Sequence, residues 1–249
     1  MDPDETWGVT TCLTIWRDPT GICMRGKFIT FEGGEGTGKS TQAAMLALRL
    51  EALGHRVQLT REPGGSPGAE VIRHVLLSGA AKPLGPDVEA MLFAAARDDH
   101  VQCTILPALD DGKWVICDRF VDSTRVYQGI LGEVDHRLIR SLERVAVGDL
   151  MPDLTIMLDI PVELGMARAR KRRGTAAPDR FEGEDLAFHQ KLRDAYLAIA
   201  AEEPQRCAVI DAGAGREAVA REIWNVVGSR LNPVVAPLGS NVRRHEVGA

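Results

Sequence analysis

"FITFEGGEGTGKST", residues 28–41, is the stretch that decides the fold. Phe28, Ile29 and Phe31 form a short apolar run ending in a glycine cluster, the pattern of a strand buried on both faces that runs into a loop. Gly33-x-x-x-x-Gly38-Lys39-Ser40 fits the phosphate-binding loop, and the Ala- and Leu-rich stretch from Thr41 to Leu53, closed by Gly54, supplies the helix that must follow it. Gly33, Gly34, Gly36 and Gly38 let backbone N–H groups converge on phosphate oxygens, and the helix start adds partial positive charge. Thr37 and Thr41 belong to the same cradle, Lys39 is suited to the β- and γ-phosphates, and the Ser40 hydroxyl suits the Mg²⁺ that accompanies a nucleoside triphosphate. The loop names a phosphoryl donor and leaves the acceptor open. Glu35 is its odd member, since a carboxylate inside a polyphosphate cradle repels the ligand. It is expected to face away from the triphosphate, toward a hydroxyl of a second substrate.

The rest of the chain is read from this loop outward. A short strand with Val57 and Leu59 alternating, "RVQLT" (56–60), and three more apolar runs, "WVICD" (114–118), "LTIMLD" (154–159) and "CAVID" (207–211), alternate with helical stretches at 88–109, 135–148, 162–173, 185–202 and 215–230. Alternation of near-continuous apolar strands with helices predicts a parallel α/β sheet of about five strands covered on both faces, with ligands at the carboxyl ends of the strands. Three of those runs end in aspartate, at Asp118, Asp159 and Asp211. A single domain is expected over 26–232, with an extension at 1–25 and a tail at 233–249; Met24 offers a second translation start.

Of the 249 residues 45% are hydrophobic and 26% charged, ordinary values for a globular protein. No uninterrupted apolar run approaches the ~18 residues of a membrane span. The formal charge of −5 argues against a nucleic-acid binder. The five cysteines are odd in number and include no C-x-x-C pair, which suits a reduced cytoplasm better than a disulfide framework or a zinc site.

Beyond the loop, "TREPGG" (60–65), "FAAAR" (93–97), "DRF" (118–120), "STRVYQG" (123–129) and "PDLTIMLD" (152–159) follow one another in an order that resembles bacterial thymidylate kinases over nearly all of residues 26–230. The resemblance implies a P-loop NTPase fold with a lid, transfer of a phosphoryl group from ATP to dTMP, Mg²⁺, and a homodimer. Phe93 and Arg97 lie four apart on one helix face, so a ring and a guanidinium stand side by side. By similarity the ring stacks on thymine and Arg97 donates to its O4; taken alone, Phe93 reads as core. Arg73 and Arg119 suit the acceptor's monophosphate because a guanidinium donates two parallel bonds. Asp118 suits Mg²⁺ through water, and an ion pair with Arg119 is compatible with that role. The resemblance assigns Ser123, Thr124 and Tyr127, with Gln128, to the base edge and the sugar, and Glu35 to the 3′-hydroxyl. Many relatives carry Tyr or His where this chain has Phe120, which removes a polar group near the acceptor.

"MARARKRRGTAAPDRFE" packs Arg168, Arg170, Lys171, Arg172 and Arg173 into six residues and reaches Arg180 after a Gly-Thr-Ala-Ala-Pro stretch. With no interleaved aromatics this reads as a lid over ATP, about 168–182, rather than a nucleic-acid patch. The family is known in two arrangements, with the catalytic arginine in the loop or in the lid. "GGEGTGK" has no arginine, so the lid must supply the charge: Arg170 and Arg172 or Arg173 on the transferring group, and Arg180 near adenine or phosphate. Asp179 and Glu182 are read as lid-positioning acids. Competing readings are another nucleoside-monophosphate or deoxynucleoside kinase and, from a different class, a nucleotide-binding switch that transfers nothing.

Overall fold

The computed structural model describes residues 25–174 and 183–234. Arg180, Asp179 and Glu182, with most of the expected extension and tail, therefore lie outside the described residues. Five strands, β1 (Phe28–Glu32), β2 (Val57–Arg61), β3 (Trp114–Asp118), β4 (Leu154–Asp159) and β5 (Cys207–Asp211), form one sheet in the order β2-β3-β1-β4-β5, parallel throughout. The central strands β1, β3 and β4 are almost wholly buried, which is why they read as unbroken apolar runs. β2 is an edge strand, with Leu59 exposed, and its weaker pattern follows from that position.

The chain leaves β1 toward the β2 edge, returns through β3 and then continues to the opposite edge. The carboxyl ends of β1 and β3 thus lie side by side where the direction of progression reverses, the usual place for a ligand crevice. One face of the sheet packs Ile29, Phe31, Ile116 and Ile156 against α1 (Lys39–Ala52) and α9 (Arg216–Leu231). The other face sets Phe28, Val115 and Cys117 against the helices after β2 and β3. On that side α2 (Pro67–Leu77) packs on α3 (Pro86–His100), and α3 runs through a π-helical segment, Val101–Ile105, into α4 (Leu106–Asp110). The expected helix at 88–109 is therefore longer and wider-wound in its middle.

A second π-helical segment, Arg125–Leu131, follows α5 (Val121–Thr124) directly after "DRF". α6 (His136–Val147), α7 (Val162–Arg173) and α8 (Leu186–Glu202) complete the layers within a residue of the expected bounds. α1 begins two residues earlier than its composition suggests, because Gly38, at φ 93°, turns the loop straight into the helix at Lys39.

Candidate active site

The loop between β1 and α1 is tied down by close backbone approach. A Cβ on Gly33 would lie 2.3 Å from the Leu158 carbonyl oxygen, and one on Gly36 would lie 2.0 Å from that of Gly165. Both glycines also hold positive φ, so no other residue fits there. Lys39 is buried, and its Nζ donates to the carbonyls of Gly33 (3.0 Å) and Gly34 (2.8 Å). Burial, helped by the neighbouring Arg119, brings its ammonium down to about 8 against the pull of Glu35, Asp118 and Glu32. Ser40 Oγ donates to Asp118 Oδ2, so the start of α1 and the end of β3 bring a hydroxyl and a carboxylate together. Both are hard oxygen donors, and the pair fits a divalent cation of the Mg²⁺ type.

Arg119 stands at the centre. Its backbone N–H bonds Phe31 O (2.9 Å), which fixes it beside β1, and its φ of 72° aims the side chain back over the loop. Nη2 donates to Glu35 Oε1 at 2.7 Å; Nη1 reaches Tyr196 Oη (3.1 Å) and Ser123 Oγ (3.2 Å). The Tyr127 hydroxyl donates to the same Glu35 oxygen at 3.4 Å, and Arg172 Nη2 stands 3.9 Å from the other. Burial alone would raise the Glu35 carboxyl, but Arg119, Lys39 and Arg172 bring it down to about 2. Glu35 is thus a fixed anion turned toward the arginines and Tyr127.

A cleft of about 380 Å³ gathers most of the residues singled out in the sequence. Glu35, Lys39, Ser40 and Thr41 from the loop and the start of α1 line it, with Asp118 and Arg119 from the end of β3. Arg73, Phe93, Arg97, Thr124, Tyr127 and Gln128 from the helices line it as well, as does Arg172 from α7. Gly33, Gly34 and Thr37 instead line a small cavity behind the loop. Arg73 Nη1 donates to Pro63 O at 2.5 Å, which anchors it to the "REPGG" turn. The hydroxyls of Ser123 and Thr124 bond protein groups: Ser123 Oγ donates to Glu32, and Thr124 Oγ1 accepts from Arg97 Nη2 at 3.0 Å. Phe120 is fully buried edge-on against Phe28 (4.9 Å between ring centres), so its aromatic ring is core.

In the basic run, Arg168 donates to the carbonyls of Ala212 and Gly213 and pins α7 to the end of β5. Arg172 alone of the run lines the cleft; Arg170 is exposed, and Arg173 is half-buried.

Three residues that sequence reasoning passed over complete the site. Glu62, inside "TREPGG", is buried and accepts from Arg97 Nε at 2.7 Å. Tyr196, on α8, is 164 residues from Glu32 and bonds it. Glu32 ends β1 as Asp118 ends β3, which was its one visible signal. It is wholly buried, taking the Phe120 N–H (2.7 Å), the Ser123 N–H (3.2 Å) and the Ser123 hydroxyl (2.7 Å). Burial, with the nearby Asp122, pushes its carboxyl up to about 7 from an ordinary 4.5.

Between about pH 4.5 and about 7 the folded chain therefore holds a proton on Glu32 that the unfolded chain releases; it sits on Oε2, where it donates to the Ser123 or Tyr196 hydroxyl. The stability this lends is full below 4.5 and is lost as pH rises through about 7. Glu32→Gln keeps the geometry, because Oε1 still accepts both N–H groups and Nε2 donates to the two hydroxyls. Melting temperature measured against pH should lose its decline between these values in the variant, which should melt above the parent at pH ~8. An unchanged slope would show Glu32 ionised throughout.

A family model for thymidylate kinases matches residues 31–223. The chain belongs to the thymidylate kinase family. It is 63% identical over 212 residues to a thymidylate kinase of Nitrobacter winogradskyi, covering 85% of this chain and 92% of the relative. It is 61% identical over 216 residues to that of Bradyrhizobium diazoefficiens, covering 87% and 95%. A crystal structure of thymidylate kinase from Ehrlichia chaffeensis superposes with a TM-score of 0.65 at 35% identity, over 82% of this chain and 99% of that one. The family accounts for the α/β P-loop NTPase fold and for a cleft with a phosphate loop on one side and arginines on the other.

Proposed function

We infer that this cleft transfers the γ-phosphoryl group of ATP to dTMP, giving dTDP and ADP. The observation that carries the reading is the convergence of Lys39, Ser40 and Asp118 with Arg73, Arg97 and Arg119 around Phe93 in one cleft. An acceptor phosphate oxygen forms the new P–O bond to the γ-phosphorus while the bond to the β-phosphate oxygen breaks and ADP leaves. Such transfer needs positioning and charge stabilisation more than covalent help.

The loop 33–41 holds the triphosphate, and Arg73 and Arg119 hold the acceptor's phosphate. Phe93 stacks on thymine while Arg97 donates to its O4; Tyr127, Gln128 and Glu35 face the deoxyribose, with Glu35 accepting from the 3′-hydroxyl. Because Glu35 is ionised and pinned by Arg119, it also sets where that arginine stands. Ser40 and Asp118 would hold Mg²⁺, whose charge offsets that of the phosphates when it is bound.

Among the lid arginines, Arg172 is favoured for the transferring group by its place at the cleft; a turn of α7 that carried Arg170 and Arg173 there would carry Arg172 away. Arg180 is assigned to adenine or phosphate by sequence alone. The unit is read as one domain over 26–232 that works as a cytoplasmic homodimer and engages neither nucleic acid nor membrane. No helix among the described residues is long and apolar enough to cross a membrane.

The test is ADP release from ATP and Mg²⁺ with dTMP, dUMP, dCMP, AMP and thymidine compared side by side. Turnover is expected to be fastest with dTMP. Turnover with thymidine but none with dTMP would sink the reading, and slow hydrolysis indifferent to acceptor would favour a nucleotide switch.

A further inference from the structure

We propose that His100 is a positioning residue for base recognition, fixed by Thr60 and acting through Glu62 to lock the guanidinium of Arg97. The inference rests on the reading of Arg97 as the group that meets the base.

Arg97 and His100 are three apart at the end of α3 and so share a face of the helix. Both bond one carboxylate: Arg97 Nε meets Glu62 Oε2 at 2.7 Å, and His100 Nδ1 meets Oε1 at 3.0 Å. All three side chains are buried. A carboxylate paired with a guanidinium only accepts, so Nδ1 carries the proton. Nε2 meets Thr60 Oγ1 at 2.7 Å. The contacts run from Thr60 through His100 to Glu62, and Arg97 donates into the same carboxylate from the other side. With Nε held by Glu62, and Nη2 by Phe120 O and Thr124 Oγ1, the guanidinium plane has one orientation at the wall of the cleft.

Two further features fit this arrangement. A Cβ on Gly65 would lie 2.4 Å from Thr60 Oγ1 and 2.5 Å from His100 Nε2, so the second glycine of "TREPGG" leaves the space that the contact fills. The Gly65 carbonyl accepts from Thr104 Oγ1 at 2.9 Å, and Thr104 lies in the π-helical segment that follows His100. Thr60, Glu62 and Gly65 thus converge on one histidine. A metal is a poorer account of the same cluster, although ligand atoms of Glu62, His100 and Cys117 lie within 4.8 Å of one another. Both Glu62 oxygens already carry donors, and the Cys117 thiol donates to Arg119 O at 3.0 Å while burial pushes its ionisation well up.

The experiment measures kcat and KM for dTMP and dCMP, at saturating ATP and Mg²⁺, in the full chain and in Thr60→Val, His100→Ala, His100→Asn and Arg97→Ala. Thr60→Val is nearly isosteric, so it serves if the histidine variants fold poorly. Thr60→Val and His100→Ala should raise KM for dTMP about tenfold, the size of one lost hydrogen bond. They should lower the dTMP-to-dCMP ratio of kcat/KM by a similar factor, with kcat and KM for ATP changing less than about twofold. His100→Asn, which can still donate to Glu62, should recover much of the preference. If Arg97→Ala lowers the ratio while Thr60→Val and His100→Ala leave it intact, the positioning role is overturned and the base site stands. If Arg97→Ala itself leaves the ratio intact, the base site is wrong and the inference falls with it. Stoichiometric metal in the purified chain, lost on His100→Ala, would replace it with a metal site.

Discussion

Arg119→Ala and Arg119→Gly should both be essentially inactive, with kcat down by about 10³-fold or more, yet the glycine variant should melt higher than the alanine variant. The two expectations come from different parts of one residue. The guanidinium is the half-buried cation that faces Glu35, Ser123 and Tyr196 in the cleft, and any substitution removes it. The backbone, however, sits at φ 72°, a conformation that costs a residue with a Cβ about 1–2 kcal/mol and costs glycine nothing sterically. Glycine loses about 0.5–1 kcal/mol of that advantage to its greater freedom in the unfolded chain. The net difference, up to about 1.5 kcal/mol, corresponds to as much as roughly 3–6 °C for a chain of this size. Steady-state kinetics and thermal melts on the two variants test both halves. Turnover within about tenfold of the parent would remove Arg119 from the transfer, and an alanine variant that melts higher would show the backbone to be unstrained.

The same residue shows how far the sequence could be read. The strand-end position of Arg119, after an apolar run closed by Asp118, was legible because burial on both faces of a parallel sheet leaves an unmistakable run. For that reason "WVICD" and "LTIMLD" coincide with β3 and β4, while "CAVID" coincides with β5, an edge strand whose Val209 is exposed. α7 matched at both ends, since Pro161 precedes it and Gly174 follows it. The partners of Arg119 were not legible. Tyr196 lies 77 residues away on α8, and nothing in local periodicity links the two.

Beyond its strand-end position Glu32 left no signal, for a similar reason: its hydrogen-bond partners come from residues 120, 123 and 196, so its burial is a tertiary fact. The π-helical segments were hidden because one extra residue per turn barely alters an apolar pattern that reads as a 3.6-residue helix. The arginine run has a third kind of ambiguity. Arg170 and Arg172 are two residues apart, about 200° around a helix, so they cannot share a face. Which one faces the cleft depends on how α7 seats against the sheet, where Arg168 holds the end of β5.

Lys39→Ala should lower kcat by about 10²–10³-fold, the size of losing one preorganised donor to the transferring group, and it should also remove a pH dependence from ATP binding. In the folded chain burial and Arg119 lower the Lys39 ammonium to about 8, well below its ordinary 10.5, so the charged form is the disfavoured one. The sign for stability follows: between about 8 and 10.5 the unfolded chain binds more protons, and this group's contribution to folding improves as pH rises through that window. The sign for ligand binding is opposite. A triphosphate brings negative charge to Lys39 and favours its protonated form, so above pH ~8 binding must take up a proton and affinity falls by up to about tenfold per unit. KM for ATP should therefore climb between about pH 7 and about pH 9.5 in the parent and stay nearly flat in Lys39→Ala. Calorimetry of ATP binding in buffers of different ionisation enthalpy should show proton uptake near pH ~8 only in the parent. Asp118, Glu35 and Glu32 raise the ammonium, so Glu35→Gln should shift the climb to lower pH. A flat KM in the parent would mean that Lys39 stays charged throughout, and that the carboxylates around it outweigh its burial.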